Sequence, residues 1–150
     1  METVAAAVLT TSVGIWVGAI VFQSAVVAPA VFVDLEETAA RSLLRTLFPR
    51  FFRLGLICGA LMLGSLLWFA AVAGWTTLLI ALLVVTGVMI VLEAISLAMV
   101  PRINAARDAG YAAQATFSRL HHISVLLTIA VLLLGISILV VVGARAAAGI

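Results

Sequence analysis

Glu93 is the residue of this sequence with the most chemistry to offer. It stands inside a long apolar stretch, and an ionisable side chain in such a place is costly, usually inward-facing and often functional. Thr86, Met89, Glu93, Ser96 and Val100 fall on one face of a helix. A polar stripe therefore leads from Glu93 toward Pro101, about 12 Å away at 1.5 Å per residue. His121 and His122 are the two histidines. Being adjacent, they point about 100° apart and cannot clamp one metal as an i, i+4 pair could. His121 shares a face with Ser124 and Thr128, and His122 with Ser118. A carboxylate beside an imidazole makes a proton relay, a metal half-site or a satisfied buried polar pair. Both lie shallow on the cytoplasmic side, a placement from which Glu93 and His121 could meet across a helix bundle; the sequence leaves open whether they do. The candidate ligand-binding set is Glu93, Arg102, Asn104, His121 and Ser124, with His121 as the metal candidate.

Other reactive groups are sparse. Cys58 is the single cysteine, so no internal disulfide forms, and in an apolar helix it behaves as a small hydrophobe. Met62, Met89 and Met99 do not cluster in sequence and read as gap-fillers. No Gly-rich phosphate loop, Ser/His/Asp set or CxxCH haem attachment is present.

The elements that must hold these residues follow from composition. The chain has 150 residues, of which 66% are hydrophobic and 9% charged, with a mean hydropathy of +1.38. A soluble domain carries about 25% charged residues, so a soluble enzyme, a disordered tail and a disulfide scaffold are excluded. Charge-free runs extend over Val4–Val33, Leu54–Leu92 and Leu120–Ala144. A transmembrane helix needs about 20 apolar residues, so the outer runs fit one helix each. The middle run is long enough for two, and it breaks at Ala73-Gly74-Trp75-Thr76. The predicted fold is all-α: a polytopic four-helix bundle in one domain over 1–150, with spans at about 6–33, 51–73, 77–100 and 116–142. The first run carries no Lys or Arg ahead of it and exceeds a signal-peptide core, so it reads as a retained helix that Pro29 should bend.

Arg41, Arg45 and Arg50 lie between the first two spans with Arg53 at the start of the second, and Arg102 and Arg107 lie between the last two with Arg119 at the start of the last; Arg145 alone lies in the tail, and lysine is absent. By the positive-inside rule both long connections face the cytoplasm and both termini lie outside. The expected location is a bacterial inner membrane. The clustered basic face that nucleic acid would require is missing. Within the first connection, 34–48 reads as an amphipathic helix. Asp34 would cap it in capping-box fashion with Glu37, and Glu37, Arg41 and Arg45 follow at spacing four. Leu35, Ala39, Leu43 and Leu47 form its apolar stripe, and Pro49 ends it. Asp108-Ala109-Gly110 reads as a turn in the second connection. Gly14 with Gly18, and Gly55 with Gly59, are GxxxG pairs that would let helices approach closely, inside one bundle or across a dimer.

Three stretches in order resemble a known family. Gly14-Ile15-Trp16-Val17 is followed by Pro29 and Phe32. Leu47-Phe48-Pro49-Arg50-Phe51-Phe52 closes the first connection. Pro101-Arg102-Ile103-Asn104 precedes Phe117-Ser118-Arg119-Leu120-His121 and Ser124. Together they resemble the transmembrane protein 205-like family of small four-helix membrane proteins. The resemblance implies no firmly established reaction, only a loose association with tolerance to toxic metal compounds. Pro101, Arg102, His121 and Ser124 fit its pattern; Thr128 stands where some members carry Asn, and Glu93 lies outside it. Histidine-using copper-resistance and haem-biosynthesis membrane proteins are more distantly similar, but they place a His in the first helix, where this chain has none.

The expected function is non-enzymatic: binding or helping to move a small cation, metal compound or lipid-like ligand at a polar cluster near the cytoplasmic side. An accessory subunit packed into a larger membrane complex is the alternative. A redox protein holding haem or quinone through His121 is the third. The expected partners are the lipid bilayer and either a second copy or a larger membrane complex. The cofactor is left open.

Overall fold

In a computed structural model, which describes residues 2–148, every regular element is helical. Helix α1 (Glu2–Phe22) runs through a π-helical turn at Gln23–Val27 into α2 (Ala28–Asp34). Then come α3 (Glu37–Ala73), α4 (Thr77–Asp108), a 3-10 turn at Gly110–Ala113 and α5 (Gln114–Ala148). Four of the resulting helical rods are long and apolar enough to cross a membrane, the mark of an integral membrane protein. α1 packs against α3 and α5, and α4 packs against the same two. The four rods therefore form a ring in which α1 and α4 stand on one diagonal. The core runs along its axis through Val13, Trp16, Ile20, Met62, Leu66, Met89, Val131 and Ile138.

The turns form where the sequence punctuates. Gly74 takes φ +82, and Thr76 caps α4 by accepting from the Leu79 N–H at 3.2 Å. Gly110 takes φ +62 just beyond Asp108. These are backbone conformations that glycine adopts at little cost. The π turn lies just ahead of Pro29, which has no N–H to give the Ala25 carbonyl. The ladder resets there, and the Ala28 N–H reaches back to the Gln23 carbonyl.

Two expectations need correcting. The stretch 34–48 is not a separate amphipathic helix: α3 begins at Glu37 and passes through Pro49 without a break. Asp34 belongs to the end of α2, Leu35 is extended, and Glu36 takes the N-cap position without a side-chain cap bond, so the expected capping box is absent. The apolar stripe is also rotated by one residue. Ala40 and Leu44 are buried against Val31, while Leu35 and Leu43 are exposed. The packing of α2 decides which side of α3 is covered. Similarly, α4 does not stop at 100 but continues through Pro101 to Asp108. A proline costs a helix one hydrogen bond and a clash with the preceding turn. Both prolines lie toward the arginine-bearing end, and neighbouring helices, hydroxyls and water can re-satisfy a freed carbonyl in a membrane helix.

Candidate functional site

The arginine-bearing end of the bundle holds a cavity of about 260 Å3. Its wall is aromatic on one side, with Phe32, Phe48, Phe51 and Phe52 from α2 and α3. Its polar groups come from elsewhere: Gln23 from the π turn, Asn104 and Arg107 from α4, and His121, Ser124 and Thr128 from α5. Phe48 stacks on Phe52 with centroids 6.1 Å apart, and Phe51 meets Phe52 edge-on at 5.2 Å, so the aromatic wall is tied together.

Arg107 governs the electrostatics here. Its guanidinium lies 4.6 Å from the Phe117 ring centroid, a cation–π distance. Phe117 in turn stacks almost parallel on His121, with centroids 5.8 Å apart. Arg41 donates to Glu37, and Arg45 donates to Asp108 at 2.6 Å, tying the start of α3 to the end of α4. Arg107 lies near all four of these charges. It makes no salt bridge or side-chain hydrogen bond of its own among the described residues. The two acids are each taken by another arginine, so this half-buried guanidinium has no anion assigned to it. A second, larger hollow of about 560 Å3 shares Phe32, Leu44 and Arg107 with the first and opens past Tyr111 and Gln114. Arg107 therefore stands between the aromatic-walled cavity and this second hollow.

Of the residues expected at the site, Asn104, His121 and Ser124 line the cavity. Arg102 is exposed and does not line it. Glu93 is elsewhere. It is 1% exposed and sits with Trp16 above Gly55, where an added Cβ would lie 2.6 Å from Trp16 Nε1 and closer still to Glu93 Oε1. Eleven residues separate Glu93 from Asn104 on α4, about 16 Å of rise. No hydrogen bond or ion pair joins Glu93 to His121 among the described residues, and no three of His, Cys, Asp and Glu come together there. His122 faces its own helix, donating from Nδ1 to the Ser118 carbonyl at 2.7 Å.

Gln23 and Arg107 are the polar cavity-lining side chains that sequence reasoning did not single out. Gln23 carried a signal: it falls seven residues after Trp16, on the same α1 face. Arg107 continues the face of Glu93, Ser96 and Val100, but only if the helix runs past Pro101. The two GxxxG pairs have different fates. Gly55 and Gly59 are buried, and an added Cβ at Gly59 would lie 2.5 Å from Ile90. Gly14 and Gly18 are exposed, with open space where a Cβ would be.

Residues 11–112 match a family model described as "Domain of unknown function (DUF4149)". The chain belongs to that family. The DUF4149 match runs from Thr11 in α1 to Ala112 in the 3-10 turn, so it takes in Trp16, Gln23, Glu93, Asn104 and Arg107. His121, Ser124 and Thr128 lie beyond it. No curated protein and no solved structure matches the chain.

Proposed function

We propose that this membrane protein binds an amphipathic small molecule at its arginine-bearing end, with the apolar body against the phenylalanine wall and an anionic or acceptor headgroup at Arg107. The unpaired Arg107 guanidinium is the observation that carries the reading. Ligand sites are commonly concave and apolar with a few convergent polar groups. Gln23, Asn104, His121 and Ser124 supply donors and acceptors around the chamber. A cation or bare metal ion fits less well, because the nearest unpaired charge is positive. Of the ligands expected from sequence, the lipid-like one is favoured. The arginine distribution supports a cytoplasmic position for this end, with both termini outside and an inner-membrane location. The order of motifs supports placement near the transmembrane protein 205-like group.

Purified protein is titrated with phosphate-bearing, zwitterionic and uncharged amphiphiles while its melting temperature is followed. The reading expects the anionic ligands to raise it most, and Arg107→Gln to abolish that preference. Equal shifts for all three classes, or none, would overturn it.

One observation favours a second reading, packing against another membrane helix. Gly14 and Gly18 present a flat strip on the outer face of α1 that nothing among the described residues covers. Gly14→Leu with Gly18→Leu would then dissociate an assembly seen in mild detergent. An unchanged particle size in the double variant argues against it.

A further inference from the structure

The cavity leaves the most deeply buried acid of the molecule unused. Glu93 is 1% exposed and its Oε1 has no hydrogen-bond partner. Trp16 is equally buried, and its indole Nε1 also lacks a partner. The two side chains reach across the α1–α4 diagonal because Gly55 on α3 leaves room for both. A carboxylate there would be an unpaired charge in a low-dielectric interior, which is among the costliest arrangements a protein can hold. The neutral acid removes that charge and keeps a carbonyl oxygen that an indole N–H can reach.

No neighbouring element offers a counter-charge. α1 brings only the Trp16 indole, since no charged residue lies between Thr3 and Val33. α3 brings the buried Cys58 thiol, while Arg53 is exposed. On α5, Arg119, His121, His122 and Arg145 stand toward its two ends, and none is bonded to Glu93. On α4 itself, Arg102 is exposed and nine residues away.

The nearest cavity-lining residue on the Glu93 face of α4 is Val100, seven residues and about 10 Å of helix rise away. Phe52, three residues before Gly55 on α3, lines the cavity. On α4, Ser96 lies between Glu93 and the cavity-lining Val100, on the same face. Ser96 is 1% exposed, and its hydroxyl donates to the Leu92 carbonyl at 3.0 Å, which leaves its oxygen free to accept. In the π turn that follows α1, Gln23 lines the cavity and its Nε2 has no partner. Orphaned polar atoms at both ends of that interval, Glu93 Oε1 at one and Gln23 Nε2 at the other, are the setting in which buried water is held.

We propose that Glu93 is a proton-binding site at the centre of the bundle, loaded as a neutral acid and exchanging its proton with water in the arginine-end cavity through the Ser96 hydroxyl. The exchange is a swap. The Ser96 hydroxyl first turns its O–H from the Leu92 carbonyl to a water; the Glu93 O–H proton then passes to the Ser96 oxygen as the Ser96 proton passes to that water, and a different proton returns from water by the reverse route, so no net charge is left in the interior.

Infrared spectroscopy of the protein in lipid nanodiscs at neutral pH tests this. The expected wild-type spectrum has a carboxylic-acid C=O band that is lost in Glu93→Gln and shifts in D2O without unfolding. Ser96→Ala should keep the band and slow its shift by on the order of a hundredfold. Thr86→Val, on the far side of Glu93 from the cavity, should leave the rate unchanged. Should Glu93→Gln fail to fold, carboxyl-13C glutamate labelling of the wild type gives the same reading, since one protonated glutamate must persist at neutral pH. A spectrum with ionised glutamates only, a band that never exchanges, or equal rates in wild type and Ser96→Ala would overturn the proposal.

Discussion

Replacing Gly55 by alanine tests the packing at the bundle centre with a single methyl group. The new Cβ would lie 2.6 Å from Trp16 Nε1, 2.8 Å from Glu93 Cδ and closer still to Glu93 Oε1. Either side chain has to move, and each is 1% exposed, so neither has an empty space to enter. Overpacking of this kind costs about 1–3 kcal/mol, which is about 5- to 150-fold in the folding equilibrium. Gly14→Ala is the internal control: it adds the same methyl group where nothing lies within 4 Å, and surface changes are worth at most about 0.5 kcal/mol. Reversible unfolding in mixed micelles of increasing denaturing-detergent content reads both. Glu93→Ala should reverse the sign of the effect, because the alanine methyl then fills part of the space the carboxyl leaves. A double-mutant cycle should show a favourable coupling of about 0.5–3 kcal/mol. Equal stability of Gly55→Ala and Gly14→Ala, or strict additivity of Gly55→Ala with Glu93→Ala, would refute the placement of Glu93 over Gly55.

Three further outcomes are expected. Asp108→Ala should cost no more than about 1 kcal/mol and lose most of that effect in high salt, because the Arg45–Asp108 pair is about half exposed on both sides; a larger, salt-insensitive loss in a thermal melt would contradict this. Pro49→Ala and Pro101→Ala should leave helical content by circular dichroism unchanged and stability unchanged or raised by up to about 3 kcal/mol, since α3 and α4 already run through both prolines. Cys58, 3% exposed, should resist a membrane-impermeant maleimide, while Tyr111→Cys, at a site 97% exposed, should label readily and only from the side that carries the arginine connections.

The spans were legible because hydrocarbon imposes a length and bars charge, so charge-free runs and a Gly-Trp break mark helices with little competition from other signals. Helix ends near the interface were not. Pro49 and Pro101 look like terminators in a water-soluble setting, yet the rods continue through them. That error in the end of α4 hid Arg107, which lies on the face of Glu93 and Ser96 only in an unbroken helix. It also made Glu93 and His121 look like neighbours. Periodicity tells which face a residue occupies, and it does not fix the level along the bundle at which another helix presents its own residues. Gln23 was recoverable from its spacing to Trp16, whereas the pairing of Arg45 with Asp108 was not, because 63 residues separate them.

Stability alone gives no reason for Glu93 and only a cation–π contact as a reason for Arg107. A buried ionisable group can often be exchanged for an apolar one of similar volume without loss of stability, and the Glu93 position is surrounded by Met89, Ile90 and Trp16, which would accept a methionine. Arg107 is not needed to tie α3 to α4, because Arg45 already does so through Asp108; its own contact is the cation–π one with Phe117 on α5, which leaves its charge without an anion. The two groups sit on one face of α4, fourteen residues and about 21 Å apart, too far to neutralise each other. Between them lie Ser96, Val100 and Asn104, the last two in the cavity wall. An unmatched guanidinium at the mouth and an unmatched acid at the centre, on one helix face with a hydroxyl and a cavity wall between them, are what the proposed ligand site and the proposed proton site each require.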